Sequence, residues 1–269
     1  MTDRPQILLT NDDGIPSPGL WAAASTLSDL GFVTVIAPRE QSSGMGRSLP
    51  NTSDGIIEEQ RVTVNGQEWQ VYAVGGSPAQ AVLHGVLEVM PTPPDLIVSG
   101  INYGENVALG VTISGTVGAA MEAAGLGYPA LAVSLETAMR YHLGYSEEVD
   151  FSAAAHFTRL FARILLEKRM PRDVQVLKVD VPSDATVDTP WQVARVALHP
   201  YYSPTAPERA SWSEPGKPGY KAAILPEDQA PDSDVYVLRK KRMVAVVPLS
   251  LDLTSRLDLG EFESTLRSK

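Results

Sequence analysis

Cysteine is absent from all 269 residues, which excludes disulfides, thiolate metal sites and a cysteine nucleophile. Histidine is nearly as scarce. The four present, His84, His142, His156 and His199, show no paired spacing such as H-x3-H, which argues against a histidine-rich two-metal phosphatase centre. Positive charge is also short: 22 Lys and Arg face 32 Asp and Glu, a net charge of −10, so no nucleic-acid polymer is expected as a partner. The one dense basic run, Arg239-Lys240-Lys241-Arg242, lies between Val235-Tyr236-Val237-Leu238 and Met243–Val247. It reads as the solvated turn of a hairpin over Val235–Leu249. Long apolar runs are missing as well. The most apolar region, Leu109 to Leu135, carries Glu122, Pro129 and five glycines, so no membrane partner is expected. The first strand begins by about residue 6, which leaves no room for a signal peptide, and the expected location is the cytoplasm.

What is present is 43% hydrophobic and 20% charged, the balance of one large α/β domain. Its most informative stretch is the start. Gln6-Ile7-Leu8-Leu9-Thr10 reads as a buried parallel strand that runs into Asn11-Asp12-Asp13-Gly14. In an open α/β sheet the carboxyl ends of the strands form the ligand crevice. Two adjacent carboxylates there repel each other unless a cation sits between them, and a hard, oxygen-seeking ion such as Mg²⁺ or Mn²⁺ fits that demand. The competing reading is an ordinary turn, since all three residue types are turn formers.

Strands and helices then alternate. Pro18 to Leu30 has helical spacing and Phe32–Pro38 is a second strand, completing a β-α-β unit. Asn65-Gly66 predicts a hairpin within Ile56–Val74, and Ser77 with Pro78 predicts the start of a helix reaching Met90. Strands are expected at Asp95–Gly100, Pro129–Leu135 and Val174–Val181, and helices at Ser114–Leu126 and Phe151–Lys168. This is the pattern of a doubly wound, mostly parallel, Rossmann-like sheet. Val193–Leu198 is strand-like, His199–Asp234 reads as a long loop, and a short helix closes the chain. The expected organisation is a core over residues 1–198. Residues 199–269 would form the loop, a projecting hairpin arm and a C-terminal segment used in oligomerisation, all within one functional domain.

Three more strand-end clusters reach the same rim. Pro38 to Ser48 is polar and glycine-containing, Gly100 to Asn106 offers two amide side chains, and Ser114-Gly115-Thr116 opens an Ala-rich helix whose N–H groups suit an anion. Singly each has a plain reading, Ser114 as a cap and Asn102 as a turn residue. Together they supply oxygen ligands for a cation and donors for a phosphate, which favours metal-assisted phosphoryl chemistry.

In order and spacing these segments resemble the survival protein SurE family of metal-dependent 5′/3′-nucleotidases. The matching motifs are Leu8–Gly14 with Pro18-Gly19, Ala37-Pro38 followed by Ser43-Gly44, Val98–Asn102 with Gly104 and Asn106, and Ser114–Val117 with Ala119–Glu122. Pro129–Ser134, Pro248-Leu249 and Asp252–Thr254 match further along. The resemblance implies one Mg²⁺ or Mn²⁺ per subunit, held by Asp12, Asp13, Ser43 and Asn102. It places phosphate against Ser114, Gly115 and Thr116, with Gly44, Asn106 and Asn11 also on the substrate side. The implied activity is hydrolysis of nucleoside 5′- and 3′-monophosphates by an acid-type phosphomonoesterase, in a homodimer or homotetramer. Asp12 and Asp13 would be catalytic, either accepting a proton from water or attacking to give an aspartyl-phosphate.

Three segments depart from the family pattern. Lys178-Val179-Asp180-Val181-Pro182 stands where Asn-x-Asn-x-Pro is usual, Gln80 replaces an aspartate, and Ser48-Leu49-Pro50 replaces Ser-Leu-Thr. None is among the four proposed ligands, so base preference and assembly are what they bear on. Two other readings compete. A haloacid-dehalogenase-type phosphatase spaces its aspartates as D-x-D, unlike the adjacent pair here. A non-catalytic nucleotide-binding paralogue would keep the site without turnover.

Overall fold

A computed structural model describes residues 4–64, 66–142, 144–146, 148–222 and 229–268. Its centre is a nine-stranded sheet of β1 (Gln6–Thr10), β2 (Phe32–Pro38), β3 (Ile57–Val64), β4 (Gln67–Val74), β5 (Leu96–Tyr103), β6 (Ala130–Leu135), β7 (Val176–Val181), β8 (Trp191–Val193) and β11 (Val244–Leu249). The order is β3-β4-β2-β1-β5-β6-β7-β11-β8. The run from β4 to β7 is parallel, whereas β3 pairs antiparallel with β4 and β11 antiparallel with β7. The strands β5, β6 and β7 are buried along their whole length, as strands covered on both faces must be.

Helices α1 (Pro18–Leu27) and α4 (Ser152–Glu167) cover one face, where Leu20, Leu27, Phe157 and Phe161 join Ile7 and Leu9. Helices α2 (Pro78–His84) and α3 (Gly115–Gly125) cover the other, with Val82, Val117 and Ala120 against Leu8 and Ile97. Chain order explains where the crevice opens. From β1 the chain winds outward through β2 to β4, then returns beside β1 as β5 and winds the other way. The β1/β5 boundary is therefore the topological switch point, at whose carboxyl end ligands bind in this architecture.

Local signals held in several places. Ser77 caps α2 through a capping box with Gln80, and Pro78 opens the helix. The hairpin of β3 and β4 forms at Gly66, while Asn65 lies outside the described residues.

The distal part differs from expectation. A hairpin arm is present, but it is formed by β9 (Tyr202–Thr205) and β10 (Gly219–Ala222), a separate two-stranded sheet inside the segment read as loop. Residues 223–228 of that segment lie outside the described residues. Val235–Leu249 is not a hairpin. Tyr236–Lys240 forms one wide helical turn with Val237 and Leu238 buried, and β11 enters the central sheet beside β7. The basic run is not a free turn either, because Arg239 and Arg242 fold back onto buried Glu136. The expected strand at Val193–Leu198 is not formed: β8 ends at Val193, having begun at Trp191, and beyond it only Arg195 makes an isolated bridge, to Ser233. Helix α5 (Leu259–Arg267) closes the chain.

Candidate active site

Strand β1 ends at Thr10, and the Asn11 side chain closes the turn after it. Its Nδ2 donates to the Gly14 carbonyl at 3.0 Å, and its Oδ1 accepts from the Gly14 N–H at 3.1 Å. Gly14 has φ +92°, and a Cβ there would come within 3.2 Å of the Glu40 main chain, so the turn requires glycine. The result sets Asp12 and Asp13 side by side, both buried.

Their surroundings differ. Asp12 lies against the start of α3, where the Thr116 hydroxyl donates to its Oδ1. Burial raises its pKa, opposed by hydrogen bonds from Thr116 and Gly115. Asp13 accepts the Tyr103 N–H at 3.0 Å and Gln41 Nε2 at 3.3 Å. Burial first and the charge of Asp12 second push it up to about 8. Burial and mutual repulsion thus disfavour two ionised carboxylates here, and a positive charge beside them would relieve both.

Other strand ends converge on this pair. The Ser42 N–H donates to the Asp12 carbonyl at 2.7 Å and ties down the loop that carries Ser43 and Gly44, both exposed on the rim. Asn102 at the end of β5 donates Nδ2 to the carbonyls of Tyr103 and Gly104, at 3.2 and 2.8 Å. That orientation leaves its Oδ1 without a donor among the described residues. Ser114 caps α3 by accepting from the Val117 N–H at 3.1 Å. A Cβ on Gly115 would stand 2.7 Å from Asp12 Cβ, so this close approach needs the glycine.

The structure therefore brings Asp12, Asp13, Asn102, Gly115 and Thr116 into one contact chain, with Ser43 and Gly44 at its mouth. The Asn11 amide is engaged at both ends by the turn itself. Asn106 donates Nδ2 to Ser134 Oγ at 2.9 Å, and its main chain is held from β7. Sequence reasoning missed Gln41, which links Asp13 to the His142 carbonyl, and Tyr145, which donates to the Asp13 carbonyl at 2.6 Å. It also missed an aromatic group on the rim. His142 packs over Gly104, Tyr202 and Tyr220 from the hairpin arm lie beside it, and Tyr202 donates to Glu105 at 3.1 Å. No local signal marks contacts between segments so far apart in the chain, up to 132 positions for Tyr145 and Asp13.

With this geometry in view, similarity to known proteins becomes decisive. A family model described as Survival protein SurE matches residues 7–202. The chain belongs to that family. A relative named 5′-nucleotidase SurE from Thermococcus gammatolerans is 43% identical, over 97% of this chain and 96% of its own length. Another of that name from Methanosarcina mazei is 37% identical over 97% and 98%. A crystal structure of a SurE protein from Aquifex aeolicus superimposes with a TM-score of 0.76 at 29% identity, covering 97% of this chain and all of that one. Among SurE-family residues, the departures at Gln80 and Pro50 prove structural here. Gln80 completes the α2 capping box, accepts from Ser53 at 2.7 Å and donates to the Pro50 carbonyl at 3.0 Å.

Proposed function

We propose that the protein is a divalent-cation-dependent nucleotidase, a phosphomonoesterase that hydrolyses nucleoside 5′- and 3′-monophosphates to nucleoside and phosphate. The observation that carries this reading is the buried Asp12–Asp13 pair at the β1/β5 switch point, facing the N-terminus of α3, in a chain whose full-length relatives are named 5′-nucleotidases.

The donor set fits a hard cation. Asp12, Asp13, Ser43 and Asn102 offer only oxygen, the Asn102 Oδ1 is free to point at an ion, and the like-charge repulsion of the pair is relieved by one. One Mg²⁺ or Mn²⁺ per subunit, when bound, supplies charge to the phosphoryl oxygens and acidifies a water. The protein's own groups do the rest. The positive end of α3, with Ser114, Gly115 and Thr116 at its start, lies against Asp12 and favours an anion beside it. Asn106 is the proposed amide donor on the phosphate side, and Gly44 leaves open space at the mouth. The faces of His142, Tyr202 and Tyr220 suit a stacked base. Asp12 or Asp13 takes the proton from water, or attacks the phosphorus directly. Single-turnover hydrolysis in ¹⁸O water separates these: label found in a carboxylate identifies direct attack.

The test uses a panel of 5′ and 3′ nucleoside monophosphates with Mg²⁺ or Mn²⁺, with and without chelator. Phosphate release is expected only with the cation. Asp12→Asn and Asp13→Asn are each expected to lose more than the roughly 10–100-fold typical of a supporting residue around a metal. Nucleotide binding without release would favour the non-catalytic paralogue, and release that survives both substitutions would remove the site assignment. We also infer a homodimer or homotetramer, because α5 buries none of its own residues within one chain.

A further inference from the structure

Two of the departures from the family pattern, Lys178 and Asp180, meet a third charge, Asp234, inside the sheet. All three side chains are fully buried. We propose that these three form a positioning network that fixes the main chain of Asn106 and the segment leading to α3, and so sets the phosphate half of the site. The proposal rests on the nucleotidase reading, in which Asn106 and the start of α3 receive the phosphoryl group.

The contacts are specific. The Asn106 N–H donates to Asp180 Oδ1 at 2.8 Å, and its carbonyl accepts Lys178 Nζ at 2.9 Å. Both main-chain groups of one residue are thereby held by side chains two apart on β7, which point to the same face of the sheet. Lys178 spends its remaining donors on Asp180 and on Asp234, the latter at 3.2 Å. Asp234 in turn accepts the N–H groups of Ala108 at 3.1 Å, Ala197 at 3.0 Å and Val235 at 2.9 Å. Ala108 has φ +52°, a conformation that a residue with a side chain rarely adopts and that the bond to Asp234 offsets.

Two anchors thus grip residues 106 and 108, between the Asn102 end of β5 and the Ser114 cap of α3. With the Asn106 main chain fixed, its amide is aimed by buried Ser134. Burial lowers the Lys178 pKa, but the two carboxylates outweigh it and keep the ammonium charged. Three desolvated charges are a costly way to fill a sheet interior, since apolar residues of equal volume stabilise at least as well. Neutral packing would leave the Asn106 main chain unpartnered. None of the three bonds to Asp12, Asp13, Ser43 or Asn102 among the described residues, so the network acts on phosphate and leaves the cation ligands alone.

The test compares Asp180→Ala with Asp180→Asn, which keeps an oxygen acceptor for the Asn106 N–H, and with Ser134→Ala, which releases the amide without disturbing charge. Two constants are read on each protein that melts cooperatively: competitive inhibition by inorganic phosphate, and Mn²⁺ affinity by calorimetry. Asp180→Ala and Ser134→Ala are expected to weaken phosphate about 10–100-fold and to raise KM more than they lower kcat, with Mn²⁺ affinity within about twofold of wild type. Asp180→Asn is expected to recover most of the loss. Unchanged phosphate inhibition in Asp180→Ala, or in Ser134→Ala should Asp180→Ala not fold, overturns the proposal while wild-type activity keeps the nucleotidase reading intact. A parallel loss of Mn²⁺ affinity also overturns it, by making the network merely structural. Wild-type protein that neither binds phosphate nor releases it removes the underlying reading and the proposal together.

Discussion

Gly115 sits where two demands meet. As the first residue of α3 it is a weaker helix former than alanine, by less than the roughly 1 kcal/mol found in helix interiors. Against that, a Cβ would stand 2.7 Å from Asp12 Cβ and 2.8 Å from its Oδ2, closer than real Cβ contacts come. The clash falls on a group whose position matters, and Asp12 must move. Gly115→Ala is therefore expected to leave thermal stability near wild type while weakening Mn²⁺ binding and nucleotide hydrolysis at least about tenfold. Calorimetric titration of the folded variant checks this, and wild-type Mn²⁺ affinity would show that Asp12 does not hold the ion. This residue also marks how far a sequence can be read. The Asn11–Gly14 turn was legible because strand, turn formers and glycine are neighbours in the chain. The need for glycine at 115 comes from a carboxylate about a hundred positions away, and the engagement of Asp13 by Gln41 and Tyr103 spans 28 and 90 positions.

At the scale of elements, the segment 235–249 shows why a short apolar run misleads. Val235 and Val237 alternate like a strand, yet periodicity over so few residues fits a buried helical turn equally well. What decides between them is tertiary. Val237 and Leu238 cap the face that carries α2 and α3, and Arg239 and Arg242 swing back to Glu136 at the end of β6. Burial alone would push the Glu136 carboxyl up. The hydrogen bond from Arg242, the Ser183 N–H and the two guanidinium charges together hold it below its ordinary value of 4.5. A carboxylate with a depressed folded pKa stabilises the fold fully above the unfolded value and loses that contribution as pH falls through the folded one. Glu136→Gln should then cost about 1 kcal/mol at pH 7, at the low end for charged hydrogen bonds because both arginines are partly exposed. The gap to wild type should narrow as pH falls below about 4.5. Chemical unfolding at several pH values measures it, and a gap that does not narrow with acidification would show that the clamp does not depend on the Glu136 charge.

Across the whole molecule, the alternation of strands and helices up to residue 182 carried the doubly wound architecture, since each parallel crossover has its own local pattern. The distal third was harder because its pairings are remote. Strand β11 adds beside β7 some 65 residues after it, and β9 meets β10 across residues 206–218, a connection too long for a tight hairpin turn to announce the pairing. Helix α5 lies in that third and raises the question of what it packs on. Asp258 caps it well, but none of its residues is buried, and Leu259, Phe262 and Leu266 are exposed at a helical spacing. A nine-residue helix is marginal in water without a surface to cover its apolar face. A second copy of the chain would supply one at no cost in new sequence, and closed symmetry would make the contact reciprocal. Light scattering at micromolar protein should accordingly give at least a dimer mass. Phe262→Glu with Leu266→Glu should lower that mass and reduce the melting temperature without touching Asp12 or Asp13. A monomeric wild type would contradict the assignment, and an unchanged mass in the double variant would move the interface away from α5, toward the exposed edge of β8 where Trp191 and Val193 stand open.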